Sequence, residues 1–376
     1  MPRPFLPVAF AAFSRDIFAI AYSPSTMGSP KSFVLSHDGR LAQPWGRVDM
    51  KRDIYALLPD PARAVEAGFV ALSNEGDIYD VGAEGAPVTT LPDAGLSGRG
   101  GTFRLARAGD TVLVLGRGNQ VWARDGAGAW QELAPDITPP EGYGPPTWTD
   151  ALALGDGTLL LAGNAKAPDK VSLLIGAPKP PALGRPPTPE ETAAYLAEHR
   201  AYVEAREAER ATHFPMETLG FIARRTEQGW DLAETVQKGA IYGLAQAPDG
   251  AIWAVGDAGQ ILRSDDGARS FTAVTEARDV RYAGIAPTHD GMIVLQGRAL
   301  SRVDAEGRMH PLPIPTTPQT QGKWLAPVDY AALPEGVFFL DANHGLLFRD
   351  ASDWQRIDIP AALTGPAKAA KAWVAG

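Results

Sequence analysis

Seven short apolar runs recur along this chain at a spacing that points to a repeat architecture. They are Phe33-Val34-Leu35-Ser36, Phe69-Val70-Ala71-Leu72, Val112-Leu113-Val114-Leu115-Gly116, Leu159-Leu160-Leu161-Ala162-Gly163, Ile252-Trp253-Ala254-Val255-Gly256, Met292-Ile293-Val294-Leu295 and Val337-Phe338-Phe339-Leu340. Their starts lie 36, 43, 47, 93, 40 and 45 residues apart. Each run is too short for a helix and is bounded by turn residues, so each reads as a buried strand. A period of about 40–50 residues made of such strands is that of a four-stranded propeller blade. The expectation is therefore an all-β chain, a seven-bladed β-propeller of four-stranded antiparallel blades, with residues 1–376 in one domain. The double-length step leaves room for an insertion.

The unit at 240–274 shows the grammar most clearly. A strand at 240–245 is followed by Asp249-Gly250, a strand at 252–256, Asp257-Ala258-Gly259, a strand at 260–263, Asp266-Gly267 and a strand at 271–274. Asp-Gly pairs accommodate the positive φ that tight hairpins require. The 40 glycines and 33 prolines suit a chain with this many turns. One four-stranded meander cannot cover both of its own faces, and stacking blades around an axis covers them. The first unit is the least regular: 40–45 reads as its third or its fourth strand, and 5–13 either opens it or completes the last blade.

Composition removes whole classes of function. The chain has no cysteine, which excludes disulfides, cysteine-ligated zinc, iron–sulfur clusters and thiol catalysis. A net charge of −9 disfavours nucleic acid as a partner. Residues 4–13, behind Arg3, have the outline of a signal peptide. Pro4, Pro7 and the apolar segment that follows at 17–22 favour a first strand instead. No apolar stretch approaches the ~18 residues of a membrane span. A cytoplasmic protein with no membrane partner is expected. The histidines show no His-x-x-x-His spacing, and no Walker loop, Gly-x-Ser-x-Gly elbow or His-Glu-x-x-His helix is present. No metal, cofactor or catalytic residue is assigned.

The insertion spans 164–216 within the fourth blade. Prolines at 178, 180, 181, 186, 187 and 189 make a stiff connector. Thr188-Pro189-Glu190-Glu191 is a capping box with proline at the first helical position, and a helix should run to about Thr212. Tyr195, Leu196, Tyr202 and Val203 share one face of it, with Arg206 alongside. The insertion separates the second and third strands of its blade. In a meander, two–three connections and the links from one blade to the next share a rim, so the long stretches 92–101, 136–147 and 313–322 should gather on the insertion's side. Long loops on a rigid scaffold are where binding concentrates. Tyr and Arg are favoured at interfaces, which makes Tyr143, Trp148, Tyr195, Tyr202 and Arg206 the candidate partner-binding residues. Residues 361–376 form an Ala-rich tail with Lys368, Lys371 and Trp373.

Ser264-Asp265-Asp266-Gly267-Ala268-Arg269-Ser270-Phe271 resembles the Asp-box, the Ser-x-Asp-x-Gly-x-Thr-Trp hairpin of BNR-type propellers, with alanine in place of a glycine and phenylalanine in place of tryptophan. A more degenerate copy contains Asp125 and Trp130, and Trp230 and Trp354 preserve little beyond the aromatic. The resemblance implies that Ser264, Asp266, Gly267, Phe271, Asp125 and Trp130 are structural, the aspartate fastening a turn and the aromatic packing beneath it. Residues 112–130 are similar to a phrase of bacterial propellers loosely described as WD40/YVTN/BNR-like, some of which resemble immunity proteins encoded beside toxin genes. The function expected from this is non-catalytic: capture and neutralisation of a cognate toxin, which the acidic charge suits if the toxin is basic. The alternatives are an assembly or scaffold factor, and a BNR-type glycan hydrolase or lectin working at the central channel.

Overall fold

The computed structural model describes residues 5–24, 32–63, 68–81, 87–125, 127–168, 176–180, 185–214, 216–235, 239–274, 279–289, 291–304, 306–351 and 353–364. The described strands form seven four-stranded sheets, each antiparallel and each made of four strands consecutive in sequence. This is the seven-bladed β-propeller that the repeat implies. The strands nearest the axis are the first of each blade: Phe5–Ser14, Ile54–Pro59, Thr102–Ala108, Thr147–Ala153, Ile241–Gln246, Tyr282–Thr288 and Pro327–Leu333. Each is neighboured by the first strands of the blades before and after it, and Phe5–Ser14 meets Pro327–Leu333 to close the circle.

The apolar runs are continuous, not alternating, because both faces of each blade are covered. In blade 1, Phe10, Phe18, Ile20 and Tyr22 pack against Phe338 and Phe348 of blade 7. The odd-numbered Ala9, Ala11, Ala19 and Ala21 pack against Phe69, Ala71 and Tyr79 of blade 2. The same division recurs around the ring, giving one hydrophobic cluster at each blade–blade interface. The period-two geometry of a strand thus supplies two interfaces from one apolar run.

Closure uses no exchanged strand. The segment at 5–14 opens blade 1, and blade 7 is completed by its own Trp354–Ile357. The first apolar run, at Phe33, is the third strand of blade 1; the second is Ile17–Pro24. Residues 40–44 are neither third nor fourth strand but the turn between Phe33–Asp38 and Trp45–Asp49. This change of phase accounts for the short first step in the repeat. The seam between blades 7 and 1 is instead aromatic. Phe338 lies 5.0 Å from Phe10, 5.7 Å from Phe18 and 4.8 Å from Phe348, ring centre to ring centre. The Phe10 amide also donates to Asp329 Oδ2 of blade 7 at 3.0 Å.

The insertion contains the helix Pro189–His213, capped by Thr188 with Glu191 completing the capping box. Its two ends meet at the propeller, where the Ala167 amide donates to the Glu217 carbonyl at 3.0 Å. None of the helix residues is buried, and among the described residues the helix makes no extensive contact with any strand. Its base is tied down by Arg210, which bonds Glu217 and the Pro168 carbonyl, and by Phe214 against Tyr143 at 5.3 Å. The sequence Lys368, Lys371 and Trp373 lies outside the described residues.

These contacts set two stabilities apart. Phe338→Ala should cost about 3–5 kcal/mol, because it empties the closing seam. Deleting 178–212, which spares Phe214 and the paired ends, should leave the midpoint of thermal unfolding nearly unchanged. Calorimetry on both variants checks this, and a large loss from the deletion would show that the helix supports the propeller after all.

Candidate functional site

Every blade carries an irregularity at the same place. The pairing of first and second strands slips at Pro7/Ala9, Ile54/Ala56, Trp148/Asp150, Ile241/Gly243, Tyr282/Gly284 and Pro327/Asp329, and in blade 3 at the Thr102/Arg104 step. The extra residues are Val8, Tyr55, Thr149, Tyr242, Ala283, Val328 and Phe103. A bulge re-aims the side chain it carries. Phe103, Thr149, Tyr242, Ala283 and Val328 line an axial cavity of about 690 Å³. The cavity opens on the insertion's side, since its rim also includes Gly118 from a two–three turn and Gly144 from a link between blades.

Below the bulges, side chains stitch neighbouring first strands together. Asp150 Oδ2 of blade 4 accepts the Leu244 amide of blade 5 at 2.9 Å. Thr149 Oγ1 donates to the Ile241 carbonyl at 2.7 Å. Tyr330 Oη accepts the Ile285 amide of blade 6 at 3.2 Å. That reach needs Gly284, where a Cβ would come within 2.4 Å of the Tyr330 ring. First strands splay from the axis and cannot satisfy these groups by a ladder, so side chains take over. Arg104 lies between Asp150 Oδ1 at 3.3 Å and Asp329 Oδ1 at 3.7 Å, bridging blade 3 to blades 4 and 7. Burial works against its charge, yet the two carboxylates outweigh this and hold the guanidinium above the ordinary arginine range. Burial raises the Asp329 carboxyl, partly opposed by Arg104. It also raises the Tyr330 hydroxyl.

The candidate contact residues separate in the structure. Trp148 is fully buried between blades 3 and 4, with Nε1 donating to Asn119 Oδ1 at 2.9 Å. It is a core residue and is withdrawn as a contact residue; it lies in a strand whose alternate positions face a neighbouring blade. Tyr143 is half-buried, its hydroxyl donating to the Met216 carbonyl at 2.7 Å. Tyr195, Tyr202 and Arg206 are partly exposed on the helix. Tyr195 packs on His199 and Arg206 pairs with Glu209. Among the described residues, the contact of the helix end with Tyr143 is made by Phe214.

A stronger surface feature lies elsewhere on the same face. Trp324, in the link between blades 6 and 7, is 61% exposed. Arg298, from the two–three turn of blade 6, lies over its ring at 5.1 Å. The Trp324 carbonyl accepts Asn343 Nδ2 at 3.0 Å, which fixes the loop. Leu96, in the link between blades 2 and 3, is 66% exposed. The sequence signal for Trp324 is an aromatic in a long link, the reasoning that selected Trp148; only burial separates the two.

The hairpin fasteners occupy the opposite rim. Asp266 Oδ1 accepts the Arg269 and Ser270 amides, each at 3.0 Å, and Oδ2 accepts Ser270 Oγ at 2.7 Å. Ser264 Oγ accepts the Ala268 amide, and Phe271 is buried. Ala268 has φ 63°, a conformation that favours glycine, but its methyl group is buried in the blade 4/5 core. Asp125 Oδ1 accepts the Ala127 and Ala129 amides. Trp130 is partly buried against the blade 2/3 cluster. Asp304 repeats the arrangement with the Glu306 and Arg308 amides.

No protein-family model matches the chain, and no characterised protein matches its sequence. Solved structures do match in shape. The extracellular domain of the one-component system BT4673 from B. thetaiotaomicron shares 10% identity with a TM-score of 0.55, over 97% of this chain and 41% of that one. YCF48 from Cyanidioschyzon merolae shares 9% identity with a TM-score of 0.52, over 93% and 97%. Sqt1 from Chaetomium thermophilum shares 13% with a TM-score of 0.51, over 93% and 97%. This chain thus spans less than half of the BT4673 domain. The likeness is one of fold alone. Among the described residues no helix is long and apolar enough to cross a membrane, and no group of histidines and acids could hold a metal ion.

Hydrogen bonds from Ser270 hold Asp266 well below the usual carboxylate range. Such a depressed group stabilises the turn above the unfolded aspartate value of about 3.9, and that contribution is lost as pH falls through the depressed value. Amide exchange at Arg269 and Ser270 should stay slow at about pH 4 and accelerate only in stronger acid. Asp266→Ala should abolish this protection at neutral pH. If Ser270 exchanges equally slowly in the variant, the carboxylate is not the fastener.

Proposed function

We propose that this propeller is a non-catalytic protein-binding module that docks a partner on the face carrying the insertion and the long links. The observation that carries this is Trp324: a large, exposed aromatic in a loop fixed by the Asn343 bond to its carbonyl, with Arg298 over its ring. Trp and Arg are the residue types that dominate interface hot spots, and a loop already held in place loses little entropy on binding. Leu96 and Leu196 of the helix add exposed apolar area on the same side. The hub acids support a structural role over a hydrolytic one, since Asp150 and Asp329 each accept a backbone amide and pair with Arg104.

Within this reading, a cytoplasmic bacterial immunity-type protein that neutralises a toxin rests on the sequence resemblance and the net charge of −9. A scaffold role in a larger assembly uses the same face and rests on the fold.

The test is quantitative capture from the native host with the full chain as bait. A stoichiometric partner is expected, and Trp324→Ala should weaken its retention by about tenfold or more, a hot-spot loss of roughly 2 kcal/mol. The same substitution should not move the thermal midpoint. Trp148→Ala should do the reverse, lowering stability by about 3–5 kcal/mol. Capture that is indifferent to Trp324, Arg298 and the 178–212 deletion would remove this face from the account.

A further inference from the structure

The axial cavity has a charge opposite to that of the protein around it. Its wall includes Arg99, Arg104, Arg117 and Lys166 against a single acid, Asp329, in a chain of net charge −9. The four cations are not equivalent. Arg104 is shared by Asp150 and Asp329 at the base. Arg99 pairs with Glu132 and lies over the Trp122 ring at 5.5 Å. Arg117 and Lys166 are exposed, and no carboxylate pairs with either among the described residues. They come from the two–three turn of blade 3 and the end of the second strand of blade 4, so both belong to the blade 3/4 side of the mouth. The other side carries Tyr242 and Tyr330.

Two uncompensated cations on a concave wall attract an anion more strongly than the same charges on a convex surface, because the low-dielectric walls focus the field. Asp329 at the base limits how deep a negative group can go. An anionic group is therefore held at the mouth, with apolar or neutral atoms below it against the tyrosines and Phe103. We propose that the cavity receives an acidic peptide segment, a run of Asp or Glu side chains contributed by the protein that docks on this face. The proposal rests on the docking reading and names the chemistry of what enters the axis. It also reverses the expectation drawn from net charge alone: the surface presented to a partner at the axis is basic.

Fluorescence anisotropy of a labelled hexaglutamate peptide with the full chain tests it, with hexalysine and inorganic phosphate as the other arms. Hexaglutamate should bind and weaken as salt is raised, since exposed charges are screened. The paired substitution Arg117→Glu and Lys166→Glu should lower its affinity by at least about tenfold. Both side chains are exposed, so the variant should unfold at the wild-type temperature; the pair Arg117→Ala and Lys166→Ala gives a milder second series. Hexalysine affinity should not fall in the charge-reversed variant; a fall equal to that of hexaglutamate overturns the proposal. Hexaglutamate affinity that is unchanged in the charge-reversed variant overturns the proposal. So does inorganic phosphate that binds as tightly as the peptide, which would mark a small-anion site. Retention of a captured partner without any hexaglutamate binding overturns this inference and leaves the docking reading intact. Hexaglutamate binding that depends on Arg117 and Lys166, with no partner captured, supports the cavity and removes the docking reading.

Discussion

Everything in this molecule depends on each meander having two apolar faces. A sheet with one covered face would leave Phe10 or Ala9 in water, and no linear stack of blades could avoid that at its ends. Closing the ring removes the ends. The cost is that the last blade must find the first across the whole length of the chain, without a shared strand to hold it. The seam is built accordingly. Phe10, Phe18, Phe338 and Phe348 give it the aromatic density that other interfaces lack. Aromatic pairs contribute beyond the area they bury, and the Phe10 amide on Asp329 fixes their register.

The same closure creates the hub. First strands that diverge from an axis cannot pair with one another, so their inward backbone groups need partners from side chains. Asp150, Thr149, Tyr330 and Asp329 meet that need, and Arg104 balances the two acids. The polar chemistry deep in the channel is therefore committed to holding blades together. The bulges lie just above this layer, where pairing is already interrupted and a side chain can turn inward without loss of a ladder bond. They place Phe103 and Tyr242 at the mouth, while the second-strand ends and adjoining turns supply Lys166 and Arg117.

The architecture could be read from the chain because a buried strand leaves a local signature, and seven of them leave a period. The capping box at Thr188 and Glu191 was equally local, and the helix begins where it indicates. What was not legible depends on three-dimensional neighbours. Trp148 and Trp324 are both tryptophans near Pro-rich links, yet one is sealed by Phe221 and Asn119 and the other is open. The phase of blade 1 was hidden because its apolar run at Phe33 looks like the second strands of other blades. The bulge at each first strand breaks the period of two by one residue, a shift that no composition marks. Of the recurring turn aspartates, Asp266 and Asp125 stood out by motif. Asp304 has the same role with a less familiar surrounding sequence.

On the proposed docking face, net charge is a poor guide to the partner. The acids are distributed over turns, outer strands and the helix, where many are neutralised locally, as in Arg206 with Glu209 and Arg308 with Asp304. A docking partner meets one face, and within it the field is set by the few charges without a neighbour. Among the described residues lining the axial cavity, those are Arg117 and Lys166. A basic partner would gain from long-range steering toward the chain as a whole and lose at the mouth. A partner with an acidic segment does the reverse, and the loss at long range fades beyond a Debye length of about 8 Å at physiological salt while the contact at the mouth remains. The local term therefore decides which partner is held, and the global charge decides only how fast partners arrive.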